Sequence, residues 1–124
     1  VPVIKDAHKK SLLEINNEIK IFTEQERQNK IPSECFKDGT ITISNAGAFG
    51  SIISTPIINQ PQSALIWMGK ATKKPAVVND EITIRSIMNL LCSYDHRVMD
   101  GSTVGLFLSR MKTFLENPES LLIS

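Results

Sequence analysis

The spacing of apolar positions changes along the chain, and each change predicts a different element. Leu12, Ile15, Ile19 and Phe22 recur at intervals of three and four, the period of one face of an α-helix. Ser11 precedes them and Glu14 follows three positions later, the capping-box pair whose side chains satisfy exposed backbone N–H groups. A helix over 11–28 follows. Polar residues 25–30, then Pro32 and Gly39, read as an exposed connection to the first strand. In Thr40-Ile-Thr-Ile-Ser44 the period falls to two, which predicts a strand over 40–44 with Ile41 and Ile43 on one side and Thr40, Thr42 and Ser44 on the other. The loop Asn45-Ala-Gly-Ala-Phe-Gly50 follows. Its glycines let backbone approach a ligand or another chain, and tight packing explains them equally.

Residues 64–68 form a short apolar run of the buried-strand type, and 76–78 with 81–84 flank Asn79-Asp80 as a hairpin. Ile82, Ile84, Met88, Leu90, Cys92 and Tyr94 all fall on even positions, which predicts one apolar face running from 82 to 94 and ending at His96. After Asp100-Gly101, the positions of Val104, Phe107, Leu108, Met111, Phe114 and Leu115 mark the clearest amphipathic helix, stopping before Pro118. No repeat or low-complexity stretch interrupts this order. Two helices with mostly hairpin-joined strands place the chain in the α+β class, as a two-layer sandwich of sheet and helices. One compact unit without a dividing linker is expected.

Composition narrows the function classes. With 124 residues, 41% hydrophobic and 22% charged, the chain has the make-up of a globular domain. A domain this small buries a modest share of its apolar surface, so its stability is expected to depend on a partner or a further segment. Fourteen basic against thirteen acidic side chains leave +1, with no general drive toward nucleic acid or an anionic membrane. The longest apolar runs fall far short of the roughly 20 residues of a membrane span, and the N-terminus lacks a signal-peptide pattern. Neither a nucleic-acid nor a membrane partner is expected. Cys35 and Cys92 lack CxxC spacing and are too few for a disulfide framework, which suits a reducing compartment. His8 and His96 stand far apart in sequence without clustered carboxylates, so no metal is expected.

Ser93-Tyr-Asp-His-Arg-Val-Met-Asp-Gly101 gathers a histidine, an arginine and two carboxylates at a strand end, where a scaffold can hold a base firmly and still expose it. On the residues alone, a structural histidine beside an ordinary ion pair is an equal alternative. The segment Tyr94-Asp-His-Arg-Val-Met-Asp-Gly101 closely resembles the DHRxxDG signature of the dihydrolipoamide acyltransferases. The resemblance extends, in order and approximate spacing, to Val1-Pro-Val-Ile4, Gly39-Thr-Ile-Thr-Ile-Ser-Asn45, Thr55-Pro-Ile-Ile-Asn59 and Pro118-Glu-Ser-Leu-Leu122.

The resemblance implies a chloramphenicol-acetyltransferase-like fold of which residues 1–124 are the C-terminal half, with the first half and the upstream lipoyl and subunit-binding domains absent from this chain. It implies acyl transfer between a dihydrolipoyl thiol and coenzyme A, the lipoyl group being carried on a domain outside this sequence. A neutral imidazole near pKa ~6.5 suits deprotonation of a thiol near ~8.5, and His96 matches the family's general base. Ser44 matches its oxyanion donor, against the alternative of a strand-end hydroxyl bonding local backbone. In the family these two groups meet across a subunit interface. Asp100 matches the acidic position, with a role in orienting the histidine loop or a nearby arginine favoured over proton transfer. Arg97 is read as an ion-pair partner stiffening the turn, Gly101 as room for the helix to begin, and Tyr94 as a border of the coenzyme channel.

Cys92, on the inward face, is read as a small buried residue rather than a nucleophile. Lys70, Lys73 and Lys74 are read as a solvated face rather than a phosphate site. The partners implied are a homotrimer assembling into a larger core, the lipoyl domain, and 2-oxo-acid dehydrogenase and dihydrolipoamide dehydrogenase subunits. The location implied is the cytoplasm, or the mitochondrial matrix in a eukaryote. The rivals are a non-catalytic scaffold or assembly fragment of the core and, from HxxxD alone, a chloramphenicol-acetyltransferase-type enzyme. Phe49-Gly-Ser51 and Pro61-Gln-Ser-Ala64 look similar to succinyltransferases, while Arg97-Val-Met99 resembles acetyl and branched-chain members equally. The acyl group is left open.

Overall fold

A computed structural model describes residues 1–122. The chain divides into two compact units, Val1–Thr40 and the residues from Ile41 onward, rather than the single unit expected. In the first, helix α1 spans Leu12–Arg27. Its capping box is formed: Ser11 Oγ accepts from the Glu14 N–H at 3.2 Å, and the Glu14 carboxylate accepts from the Ser11 N–H at 2.6 Å. Those bonds from Ser11 hold the Glu14 carboxyl below its ordinary range. The Val3 N–H donates to the Cys35 carbonyl at 2.7 Å, closing the unit on itself. The apolar periodicity makes the helix, yet Ile15 and Phe22 are only half-buried and Leu12 and Ile19 stay exposed.

The second unit contains a three-stranded sheet in the order β1-β2-β5, formed by β1 (Thr42–Asn45), β2 (Ala64–Met68) and β5 (Leu90–Tyr94). Strand β1 runs parallel to β2, and β5 runs antiparallel to it. The central strand is the core. Ala64, Leu65, Ile66 and Trp67 are each no more than 8% exposed, as a continuous apolar run covered on both faces requires. Helix α2 (Gly101–Glu116) contacts β5 and buries Val104, while Leu108, Met111 and Phe114 on the same stripe are half-buried.

Two strand expectations change. Strand β1 begins two residues later than expected, and its polar face is the protected one. Thr42 is 7% exposed and donates through Oγ1 to Gln62 Oε1 at 2.6 Å, whereas Ile43 is 59% exposed. Partnership with Gln62, which alternation cannot show, decides which side turns in. The apolar face expected over 82–94 is also not one face. Strands β3 (Thr72–Val78) and β4 (Glu81–Ile87) pair only with each other, through a turn whose Asn79 and Asp80 both have positive φ, of 51° and 62°. Ile82 and Ile84 are 81% and 75% exposed. Met88-Asn89 ends β4, and Asn89 anchors the break, donating to the Ile52 carbonyl and accepting from the Gly69 N–H. The even spacing runs through this break, so the pattern spans two different sheets. Among the described residues no helix is long and apolar enough to cross a membrane.

Candidate active site

The turn after β5 is fixed at both ends. The Asp95 N–H donates to the Ser63 carbonyl at 2.8 Å, and the Asp95 carbonyl accepts from the N–H groups of Val98 and Met99. Arg97 forks onto the Asp95 carboxylate, with Nε to Oδ1 at 3.0 Å and an η nitrogen to Oδ2 at 2.8 Å. Its backbone N–H also donates to Oδ1. The side chain of Asp95 is 16% exposed, while that of Arg97 is 82% exposed. The Arg97 guanidinium, helped by its N–H, holds the Asp95 carboxyl at about 2.

Asp100 closes the other end as the N-cap of α2, accepting from the Thr103 N–H and the Ser102 hydroxyl, both at 2.8 Å. Those donors lower its carboxyl to about 2. The arginine of this turn therefore pairs with Asp95, and Asp100 serves the helix. Between the two anchors His96 is exposed to solvent. Its ring lies 5.6 Å from that of Tyr94, the planes 37° apart, and takes no hydrogen bond from a described residue.

Ser44 sits on β1, half-buried and directly opposite Trp67. Its hydroxyl makes no hydrogen bond within the described residues. The glycine loop beyond it is explained by packing: a Cβ on Gly47 would lie 2.8 Å from the Gly69 carbonyl oxygen, and one on Gly69 would lie 2.6 Å from that of Ile52. The Asn45 side chain accepts from the Gly47 N–H, so the chain turns sharply just past Ser44. Ser44 pairs at the Trp67 end of β2 and Tyr94 at the Ala64 end, so one chain does not bring Ser44 and His96 together.

Cys92 lies opposite Ile66 of the buried strand, and burial pushes its thiol up, which lowers its reactivity. Lys73 and Lys74 are exposed on the separate β3–β4 hairpin, with Lys74 directly opposite Arg85. Among the described residues no three His, Cys, Asp or Glu side chains group as a metal would need. The support from Ser63 has no sequence signal, because it depends on strand register, whereas the ring contact of Tyr94 lies within the motif itself.

The turn thus presents an exposed histidine between an Asp–Arg fork and the capped start of a helix, at the end of β5. Residues 1–123 match the model of the family described as 2-oxoacid dehydrogenases acyltransferase (catalytic domain), and the chain belongs to that family. It is 41% identical over 124 residues, its full length, to the dihydrolipoyllysine-residue succinyltransferase component of the 2-oxoglutarate dehydrogenase complex of Rickettsia conorii, covering 31% of that protein. Its fold matches the dihydrolipoamide acetyltransferase of Azotobacter vinelandii with a TM-score of 0.91 and 31% identity, over 98% of this chain and 50% of that one. In that enzyme the catalytic roles of a serine, a histidine 52 positions later and an asparagine four beyond it were investigated. The cubic core of a pyruvate dehydrogenase multienzyme complex matches equally, with a TM-score of 0.91 and 32% identity over 98% of this chain and 50% of that one. The chain thus has the α+β, chloramphenicol-acetyltransferase-like fold of these catalytic domains. It spans about a third of the curated relative it matches and half of the solved chains.

Proposed function

We propose that this chain supplies the histidine-bearing half of an acyltransferase that moves an acyl group between a dihydrolipoyl thiol and coenzyme A in a 2-oxo-acid dehydrogenase complex. The observation that carries the reading is the clamped and exposed His96. Its spacing supports it: Ser44, His96 and Asp100 repeat the 52- and four-residue intervals of the serine, histidine and asparagine probed in the Azotobacter vinelandii enzyme.

Coenzyme A and the dihydrolipoyl group supply the two thiols between which the acyl group passes. His96, whose ring makes no hydrogen bond among the described residues, takes the proton of the attacking thiol and returns it to the departing thiolate. Ser44 donates its hydroxyl to the thioester oxygen as negative charge develops there, a contribution of about 3 kcal/mol in a water-excluded site. The relative carries a neutral asparagine where this chain has Asp100, and an amide cannot exchange protons in this role. Asp100 therefore acts by fastening the histidine turn to α2.

Because Ser44 and His96 stand apart within one chain, the site is completed between copies, in a trimer that builds the larger core. A lipoyl domain delivers the acyl group, and the dehydrogenase and dihydrolipoamide dehydrogenase subunits complete the cycle. A second reading is favoured by the half-length match: alone, this chain is an assembly piece that turns nothing over. Acyl transfer from acetyl-, succinyl- and isobutyryl-CoA to dihydrolipoamide, by this chain and by the acyltransferase that carries it, separates the two. Transfer by the latter establishes the enzyme and its preferred acyl group. No transfer with any donor from a folded, assembled sample leaves the scaffold.

A further inference from the structure

Tyr94 stands where three elements meet. It is the last residue of β5, directly opposite Ala64. On one side its ring lies against His96 at 5.6 Å between centroids. On the other its hydroxyl lies over the first turn of α2, where a Cβ on Gly101 would come within 3.3 Å of the phenol oxygen. That is tighter than ordinary van der Waals contact, so the tyrosine would have to give way by a few tenths of an ångström.

The backbone does not demand glycine at 101. Only Gly50 has positive φ among the glycines, and in a helix alanine is favoured over glycine by about 1 kcal/mol. What Gly101 provides is room for the tyrosine hydroxyl, beyond the room for the helix start that its sequence position suggests. His96 takes no hydrogen bond from a described residue, so neither ring nitrogen sets the orientation of the imidazole. Among the described residues, the Tyr94 ring packs against it.

We propose that Tyr94 is a positioning residue for His96, and that Gly101 maintains the space its hydroxyl needs, so that bulk at 101 displaces the imidazole by way of the phenol. The inference rests on the reading of His96 as the base. It gives Tyr94 a role in holding the base rather than in bordering the coenzyme.

The test compares the unmodified acyltransferase with Gly101→Ala, Tyr94→Phe, the double variant and Tyr94→Leu. It reads kcat, KM for coenzyme A and the His96 Hε1 resonance, which the neighbouring ring current shifts. Gly101→Ala is expected to lower kcat about tenfold with KM little changed, since small misplacements of a reacting group are costly, and to move the His96 resonance. Added to Tyr94→Phe, the same change has less than a twofold effect and leaves the resonance where Tyr94→Phe alone puts it, because the clashing oxygen is gone. Tyr94→Leu, which removes the ring without adding bulk, also lowers kcat and moves the resonance. The proposal is overturned if Gly101→Ala is equally damaging in both backgrounds, or if neither Gly101→Ala nor Tyr94→Leu moves the His96 resonance. If no form transfers an acyl group, the acyltransferase reading falls, and the resonances alone decide the contact.

Discussion

Ser44 and His96 are held at opposite ends of one three-stranded sheet. Ser44 is level with Trp67 on β2, while Tyr94, two residues before His96, is level with Ala64. Three residues of strand separate those levels, about 10 Å, and the two sets of side chains alternate to opposite faces. If Ser44 and His96 act on one carbonyl, as proposed, this register does not bring them together from a single chain. On the proposed acyltransferase reading, the complete site therefore lies between two copies of the chain.

Mixed assembly tests this separation. Chains with Ser44→Ala and chains with His96→Ala, each inactive alone, are expected to regain about a quarter of the unmodified rate when co-assembled at equal ratio, because a quarter of interfaces pair an intact serine with an intact histidine. Steady-state transfer by the mixture checks it. A mixture no faster than its components would show that both groups act from the same chain.

The turn that presents His96 should be sensitive to acid within a definite window. Asp95 and Asp100 both titrate at about 2, below an unfolded value near ~3.9. Their folded-state values are depressed, so their stabilisation is complete above about pH 4 and is lost as pH falls through about 2. Thermal melts from pH 5 to pH 2 should show a falling midpoint, with a shallower fall in Asp95→Asn and Asp100→Asn. Parallel curves for all three forms would contradict the assignment.

Stability should track the central strand. Trp67 is 3% exposed, and Trp67→Ala is expected to cost about 3–5 kcal/mol. Thr42→Val leaves Gln62 without its partner and should cost about 1–2 kcal/mol. Denaturant titration measures both. A Thr42→Val form as stable as the unmodified protein would show that the hydrogen bond contributes nothing.

How much of this was legible in the sequence depends on whether the interaction was local. The capping box of α1, the Asn79-Asp80 turn, the apolar run of β2 and the cap and stripe of α2 are set within a few residues, and their spacing shows them. Long-range partners decided the rest. Thr42 turns inward for Gln62, twenty residues away, and Asn89 ends β4 by bonding to Ile52 and Gly69. Periodicity cannot register such bonds, which is why one alternating pattern from Ile82 to Tyr94 was shared between two sheets. At the site, His96, Arg97 and Asp100 were readable from one short motif. The pairing of Arg97 with Asp95 is likewise local to that motif, whereas the separation of Ser44 from His96 needed strand register.

Cys92 offers a check on the direct-transfer chemistry. Its raised thiol and its place against Ile66 predict slow alkylation and near-normal transfer by Cys92→Ala. Rapid labelling at neutral pH together with loss of transfer would point to an acyl-thiol intermediate on the protein.

The most direct measurement is the acyl-transfer rate of the assembled acyltransferase before and after His96→Ala, with thermal melting to show that both forms are equally folded. A positioned general base contributes about 10²- to 10⁴-fold, so kcat should fall by that factor while the melting midpoint stays close to the unmodified value. A His96→Ala form that retains its rate would show that the clamped histidine is structural and that the proton leaves by another group.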